Sequence, residues 1–324
     1  MGKVLTIGEP MCMFVAKSEG KLKNVKEFER FVAGAEVNVS VGVSRLGHLA
    51  QYITSLGQDP FGEYIFDFLN SENIDTSLIS FNSEAATGFQ LKGKDSKNDP
   101  EVVYFRKGSA ASQQNENRLE EIKFKDIDLL HITGILMALN DGTFNLVKTM
   151  ILKAKELGIV VTFDPNLRPT LWKSQENMIA RINEIASLVD YILPGLSEGE
   201  LLTGKMGRDE IADFYLNLGV KSVIIKCGPE GAYAKWVTDE SVETAFVSGF
   251  KLDKVVDTVG AGDGFAVGII TGILENLEMN EMLVRANAIG AIQVCHISDN
   301  ENLPSSEQLE TFIKSYDRAS LQGG

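Results

Sequence analysis

The order of apolar and polar positions divides the chain into short β-rich runs separated by helical patterns. Strand-like runs fall at Val4 to Gly8, Ala50 to Ser55, Leu129 to Thr133, Ile159 to Asp164, Tyr191 to Pro194 and Ser222 to Cys227. Short, nearly continuous apolar runs of this kind suit strands covered on both faces. Between many of them lie amphipathic segments, such as Gly142 to Leu157 (GTFNLVKTMILKAKEL), with apolar residues at helical spacing. Strand alternating with helix predicts an α/β fold: three layers, α/β/α, with a doubly wound, mainly parallel sheet. In such sheets ligands bind beyond the carboxyl ends of the strands.

Two regions break the alternation. Residues 11–32 and 87–107 carry strand-like runs (MCMFVA, FERFVA, TGFQLKG, EVVYFRK) with no helix between them. They are expected to form a small antiparallel β-sheet, a lid projecting from the main body. No Pro-, Gly- or Ser-rich linker separates them, so the lid is expected to be woven into one domain spanning 1–324. An apolar lid face of Phe14, Phe28, Phe31 and Val32 would bury over a ligand or against a second subunit. A homo-oligomer is therefore expected.

The chain of 324 residues has ample length for a core, and its 44% hydrophobic and 23% charged content is ordinary for a globular protein. Its formal charge of -14 changes the picture more. That surface repels nucleic acid and anionic membranes, so neither is expected as a partner. A small anionic ligand is still admitted wherever arginines or backbone N–H groups gather. Cys12, Cys227 and Cys295 lie far apart, and His48, His131 and His296 lack metal-ligand spacing, so no zinc site is expected. Glu9 and Pro10 interrupt any leader-like apolar run near the start. Nothing approaches the roughly 18 apolar residues of a membrane span. A cytoplasmic location is expected.

One stretch concentrates candidate chemistry: DTVGAGDGFA, residues 257–266, followed by the apolar run Val267 to Leu274. A turn of Gly260, Ala261 and Gly262 at the start of a helix can bring unpaired backbone N–H groups close to an anion. Asp263 follows directly, placed to accept a proton from a hydroxyl that attacks a phosphoryl group. Helix N–H donors nearby would keep it ionised. A plain loop with Asp263 as a helix cap explains an isolated hit equally well. A dinucleotide-binding turn does not, since Phe265 stands where the third glycine is needed, and no GxxxxGK[ST] occurs.

DTVGAGDGFAVGII resembles the C-terminal signature of the ribokinase-like (PfkB) family of sugar kinases. AGAEVNVSVGVSRLGHLAQYITSLG, Ala33 to Gly57, resembles the family's N-terminal signature through Asn38, Ser40, Gly47 and Gly57. Glu36 stands where a small residue or proline is usual. VYFRKGSAAS (Val103 to Ser112), FDPNLRPTLW (Phe163 to Trp172) and GAEVN are similar to the subgroup acting on 2-keto-3-deoxygluconate. The resemblance implies a ribokinase-like fold and transfer from ATP, with Mg²⁺, to a primary hydroxyl of a sugar acid. A fructose, ribose or deoxy-inositol-derived acid acceptor, or a non-catalytic sugar sensor, would carry the same signatures.

An acidic substrate also suits the side chains. Arg106 in the lid and Arg168 after a strand end could each form paired hydrogen bonds to a carboxylate. Each taken alone is equally a solvated or turn-packing residue. Tyr104 should share a face with Arg106, and Gly34, Glu36 and Asn38 lie where the resemblance expects sugar contacts. Asp299, in SDNEN, is similar to a subgroup aspartate that touches substrate. KCGPEGAY resembles the family's turn near ATP through Lys226, Gly228 and Gly231, though a plain hairpin would look the same. Asn287 is expected near adenine. In LPGLSEGELLTG the family's Asn-x-x-Glu motif keeps only Glu198, expected to meet magnesium through water, because Gly195 replaces the asparagine.

Overall fold

The computed structural model describes residues 1–95, 100–252, 254–256, 258–295 and 300–322. The chain opens with β1 (Lys3–Ile7), β2 (Met11–Ala16) and β3 (Phe28–Ala33), then enters α1 (Ala35–Arg45). β4 (Leu49–Gly57), α2 (Pro60–Ser71) and β5 (Ile79–Asn82) follow, then β6 (Phe89–Lys92) and β7 (Val102–Phe105). Alternation then sets in with β8 (Leu129–Thr133), α3 (Gly134–Met137), α4 (Asp141–Glu156), β9 (Val160–Asp164) and α5 (Gln175–Ala186). It continues through β10 (Tyr191–Ile192), α6 (Leu196–Thr203), α7 (Arg208–Asn217) and β11 (Ser222–Lys226). A hairpin of β12 (Gly231–Val237) and β13 (Val242–Ser248) precedes α8 (Ala261–Leu274), α9 (Met279–Gln293) and α10 (Ser306–Gln322).

All six expected strands are present, and they form the centre of a nine-stranded sheet ordered β13-β12-β11-β10-β9-β8-β1-β4-β5. Pairing is parallel from β11 through to β5 and antiparallel for the β12–β13 hairpin. The sequence reading missed β5 and that hairpin. Both are edge elements, and β13 is exposed along most of its length, so the apolar run that marks a central strand is absent there.

Alternate residues of each central strand feed two separate cores. Leu5, Leu130, Ile132, Val161, Phe163, Val223 and Ile225 pack with α4, α5 and α7 on one face. Val4, Leu129 and Ile224 pack with α1, α8 and α9 on the other. This period of two is the doubly wound arrangement that the pattern predicted. The expected helix at 142–157 runs from Asp141 to Glu156, opened by a capping box between Asn140 and Thr143.

The small sheet is ordered β3-β2-β6-β7. It is mixed rather than purely antiparallel, because β2 and β6 pair in parallel at its centre. Each of its two hairpins leaves the main body on one strand and returns on the other, and the two outgoing strands lie side by side. Register also divides the expected apolar face. Phe31 pairs with Met13 and so shares a face with Gln90 and Tyr104, whereas Phe14, Phe28 and Val32 lie on the opposite face. On that outer face Phe14, Phe61 and Phe89 meet edge-on or tilted, and Phe89 stacks on Phe105 at 4.5 Å.

Helix α8 is wedged between α1 and α9 by glycines. A Cβ on Gly268 would lie 2.4 Å from Cα of Ala286, and one on Gly42 would lie 2.5 Å from Cγ2 of Val267. Gly268→Val should force α8 off α9 and destabilise the protein by about 2 kcal/mol or more, read as a lowered urea midpoint.

Candidate active site

Under the small sheet, beyond the carboxyl ends of β1, β9 and β11, lies a cavity of about 370 Å³. Its size suits a small-molecule ligand. Met13, Gln90, Lys92, Tyr104 and Arg106 line it from the small sheet, as their shared face requires. Gly34, Glu36 and Asn38 line it from the start of α1, Asn166 and Arg168 from the loop after β9, and Lys226 from the end of β11. Gly260, Gly262 and Asp263 complete it at the start of α8. The structure therefore brings together, in one space, side chains from both signatures.

Asp263 is 9% exposed. Gly260, in the left-handed region at φ 79°, caps α8 and turns the chain so that this carboxylate enters the cavity in the first helical turn. Asn38 Nδ2 donates to Asp263 Oδ2 at 2.7 Å, and Asn166 Nδ2 donates to Oδ1 at 3.2 Å. The expectation is that helix N–H donors keep Asp263 ionised; the largest contribution favouring its charge is instead the Asn38 amide. Burial outweighs the Asn38 hydrogen bond and pushes the Asp263 carboxyl up to about 6, with Asp164 adding to the rise and Arg168 and Lys226 opposing it. Asn38, expected to face a sugar hydroxyl, is committed on its other side too, accepting from Asn300 Nδ2 at 3.2 Å.

Two further carboxylates are buried at this cavity. Glu36 accepts from the Thr133 hydroxyl, and a Cβ on Gly8 would fall 2.3 Å from its Oε2, so only glycine leaves it room. Burial pushes Glu36 up to about 7. Glu9, 2% exposed, accepts from Arg106 Nε at 2.7 Å on one oxygen and from the Ser109 hydroxyl on the other. Arg106 is thus already ion-paired, and an incoming carboxylate would share it. Tyr104 lies beside it, with the guanidinium carbon 5.9 Å from the ring centre. Arg168 is exposed and donates to the Leu167 carbonyl at 2.8 Å.

The strand ends hold a polar cluster. Lys226 Nζ donates to Asp164 Oδ2 at 2.7 Å. Glu198 accepts the backbone N–H of Leu167 on Oε1 and that of Gly195 on Oε2, both at 2.8 Å. It is a helix-capping residue with both oxygens engaged, and among the described residues no group of three acidic, His or Cys side chains could hold a metal. A magnesium ion would have to lean on phosphates and water, with Glu198 at most orienting that water.

Other predicted residues do not line the cavity. Gly228 and Gly231 form the β11–β12 turn, and Gly231 is required by packing, since a Cβ would lie 2.0 Å from the Val247 carbonyl oxygen. Asn287 Nδ2 donates to the Val247 and Ser248 carbonyls at 3.1 and 3.4 Å, tying α9 to β13. Ala261 points its N–H towards the Thr258 carbonyl at 3.4 Å. Asp299 lies outside the described residues.

Sequence reasoning passed over Glu9, Asp164, Asn166 and Asn300. Glu9 and Asp164 carried a usable signal: each is an acid at or just past the carboxyl end of an apolar strand. Asn166 sits at φ 38°, a left-handed conformation asparagine tolerates, and its N–H is fixed by Asp164 Oδ1 at 3.1 Å.

An α/β sheet whose strand ends face a lidded cavity, with an acid at a glycine-led helix start, belongs among small-molecule kinases, and comparison with known proteins makes the class definite. The family profile "pfkB family carbohydrate kinase" matches residues 1–306, so this chain belongs to the pfkB family of carbohydrate kinases, phosphotransferases with an alcohol group as acceptor. It is 43% identical, over 95% of its length and 94% of the relative's, to the 2-dehydro-3-deoxygluconokinase of Bacillus subtilis. The crystal structure of a PfkB protein from Polaromonas sp. superposes with a TM-score of 0.87 at 37% identity, covering 96% of this chain and 99% of that one. An E. coli protein described as a ribokinase II, in complex with ATP and Mg²⁺, superposes with a TM-score of 0.88 at 26% identity, covering 97% and 100%. No helix among the described residues is long and apolar enough to cross a membrane.

The Asp263 carboxyl should titrate near pH 6 when followed by ¹³C NMR. Asn38→Leu, which keeps bulk but removes the hydrogen bond to the charged form, should move that midpoint further up.

Proposed function

We propose that the chain, acting as a single kinase domain, phosphorylates 2-keto-3-deoxygluconate at its terminal hydroxyl, using ATP and Mg²⁺ and yielding the 6-phospho product. The observation that carries this reading is that Asp263 shares one cavity with Arg106 and Arg168. A sugar acid has a carboxylate for the guanidinium groups at one end and a primary hydroxyl for the aspartate at the other. The 43% identity to a kinase of that name supports the same choice.

The substrate hydroxyl oxygen attacks the γ-phosphorus of ATP while its proton passes to the Asp263 carboxylate. An oxygen–phosphorus bond forms, the bond from phosphorus to the β-phosphate oxygen breaks, and its electron pair leaves on ADP. N–H groups of Gly260 and Gly262 at the start of α8 stabilise the charge on the migrating group. Bound magnesium would offset phosphate charge. Gly34 lets backbone approach the sugar, and Tyr104, Glu36 and Asn38 complete its contacts. The nucleotide lies towards the Gly228 to Gly231 turn and Asn287. A second copy of the chain covers the outer face of the small sheet, where Phe105 is 47% exposed.

A panel of sugars assayed by coupled ADP release tests the substrate. The acid should be preferred, and best turnover on fructose or ribose would replace this reading with another kinase of the family. Arg168→Ala should raise KM for the acid at least tenfold while leaving slow turnover of neutral sugars unchanged. Asp263→Asn should keep ligand binding and lose about 10²–10⁴-fold in kcat. Because the base must be ionised, wild-type kcat should rise with pH through about 6, where burial places this carboxyl.

A further inference from the structure

Resting on the kinase reading above, we infer that Asn300 is a positioning residue: it fixes which end of the Asn38 amide faces Asp263, so that a donor and not an acceptor meets the base. Asn38 and Asn300 are both buried, and they lie 262 residues apart in the chain. Three hydrogen bonds leave the two amides one consistent orientation. Asn300 Nδ2 donates to the Val32 carbonyl at 2.8 Å. A carbonyl oxygen can only accept, so the nitrogen end of Asn300 must stand there. The second N–H of that nitrogen goes to Asn38 Oδ1 at 3.2 Å. With its oxygen held on that side, Asn38 presents its nitrogen to Asp263, and Nδ2 donates to Oδ2 at 2.7 Å.

The opposite sense is what Asn300 removes. An Asn38 amide turned by half a rotation would set N–H against N–H at Asn300 and oxygen against carboxylate at Asp263. The second contact becomes favourable once Asp263 is protonated, since a carboxylic acid can donate to an amide oxygen. A freely turning Asn38 would therefore serve the neutral and the ionised acid alike. Held by Asn300, it serves the ionised form alone. Burial is the largest influence on Asp263 and pushes it up to about 6, and the Asn38 hydrogen bond is the largest that opposes the rise. The charged groups around the carboxylate are Glu36 from α1, Asp164 at the end of β9, Arg168 in the loop after it, and Lys226 from β11. They act through charge, and the sense of the amide is a separate lever.

The loop that carries Asn300 is itself anchored. Arg45, the last residue of α1, reaches the carbonyl oxygens of Asn300, Glu301 and Leu303 with Nη1 at 3.2, 2.8 and 2.8 Å. Its Nε and Nη2 pair with Glu72 at 2.9 and 2.7 Å. One helix thus holds both ends of the relay: its last residue pins the loop, and Asn38 in its first turn receives from it. Val32 belongs to β3, so the same amide ties the root of the small sheet to the base.

The test follows the proton as well as the rate. In the intact wild-type protein the side-chain N–H₂ signals of Asn38 and Asn300 should both shift with the Asp263 carboxyl, through about pH 6. An Asn300 signal that stays flat across that range would overturn the relay. Asn300→Leu keeps bulk and removes both donors. It should raise the Asp263 midpoint and the rising limb of kcat together by about half a pH unit or more, with the sugar KM changed by less than about twofold. A loss of kcat by the same factor at every pH is what a merely structural role predicts, and it would count against the inference. Added to Asn38→Leu, the same substitution should move the midpoint no further, because the amide it acts through is gone; additive shifts would contradict the relay. An Asn300→Leu protein too unstable to assay leaves the wild-type titration to decide. Wild-type protein inert towards every sugar would instead sink the kinase reading, and the N–H₂ titration would still report on Asn300.

Discussion

The arrangement depends on keeping a carboxylate where water cannot solvate it. Asp263 is buried, and burial of that kind is unfavourable for a charged acid unless hydrogen bonds and opposite charges answer it. The answers come from three distant parts of the chain: Asn38 from α1, Asn166 and Arg168 from the loop after β9, and Lys226 from β11. None suffices to cancel the burial, so the group rests near neutrality, at about 6. That is the range in which a carboxylate is both mostly ionised at neutral pH and basic enough to take a proton.

Holding the acid in place falls to the helix that carries it. α8 is apolar around most of its circumference, and its glycines let α1 and α9 approach closely. The turn ahead of it is thereby rigidly aimed at the cavity, as a site built on packed elements should be. The same logic runs through the roof. Glu9, just past β1, grips Arg106, just past β7, and so links the main sheet to the small one by a buried ion pair. A buried pair of this kind adds little net stability but fixes geometry, here that of a guanidinium facing the cavity.

Much of this was legible in the chain because it rests on local chemistry. The six central strands are continuous apolar runs, and both cores follow from their alternation. The GAGD turn is a backbone requirement written as glycine. Tyr104 and Arg106 were placed together by strand periodicity and do line one cavity. Edge strands were less legible, since β13 is exposed along most of its length and lacks a core pattern. Asp164 and Asn166 were within a recognised stretch yet passed over, because an acid and an amide at a strand end have many ordinary explanations until their partners are known.

The sequence by itself determined the layer architecture, the strand ends as the functional edge, and the acid at the glycine turn, because periodicity and glycine sterics act over a few residues. Tertiary structure decided what that acid experiences, which arginine is already paired, and that the small sheet runs parallel at its centre. Those properties come from groups that meet across the fold, Glu9 with Arg106 and Asp164 with Lys226 among them. Electrostatics and register are set by distance in space, and no spacing along the chain encodes them.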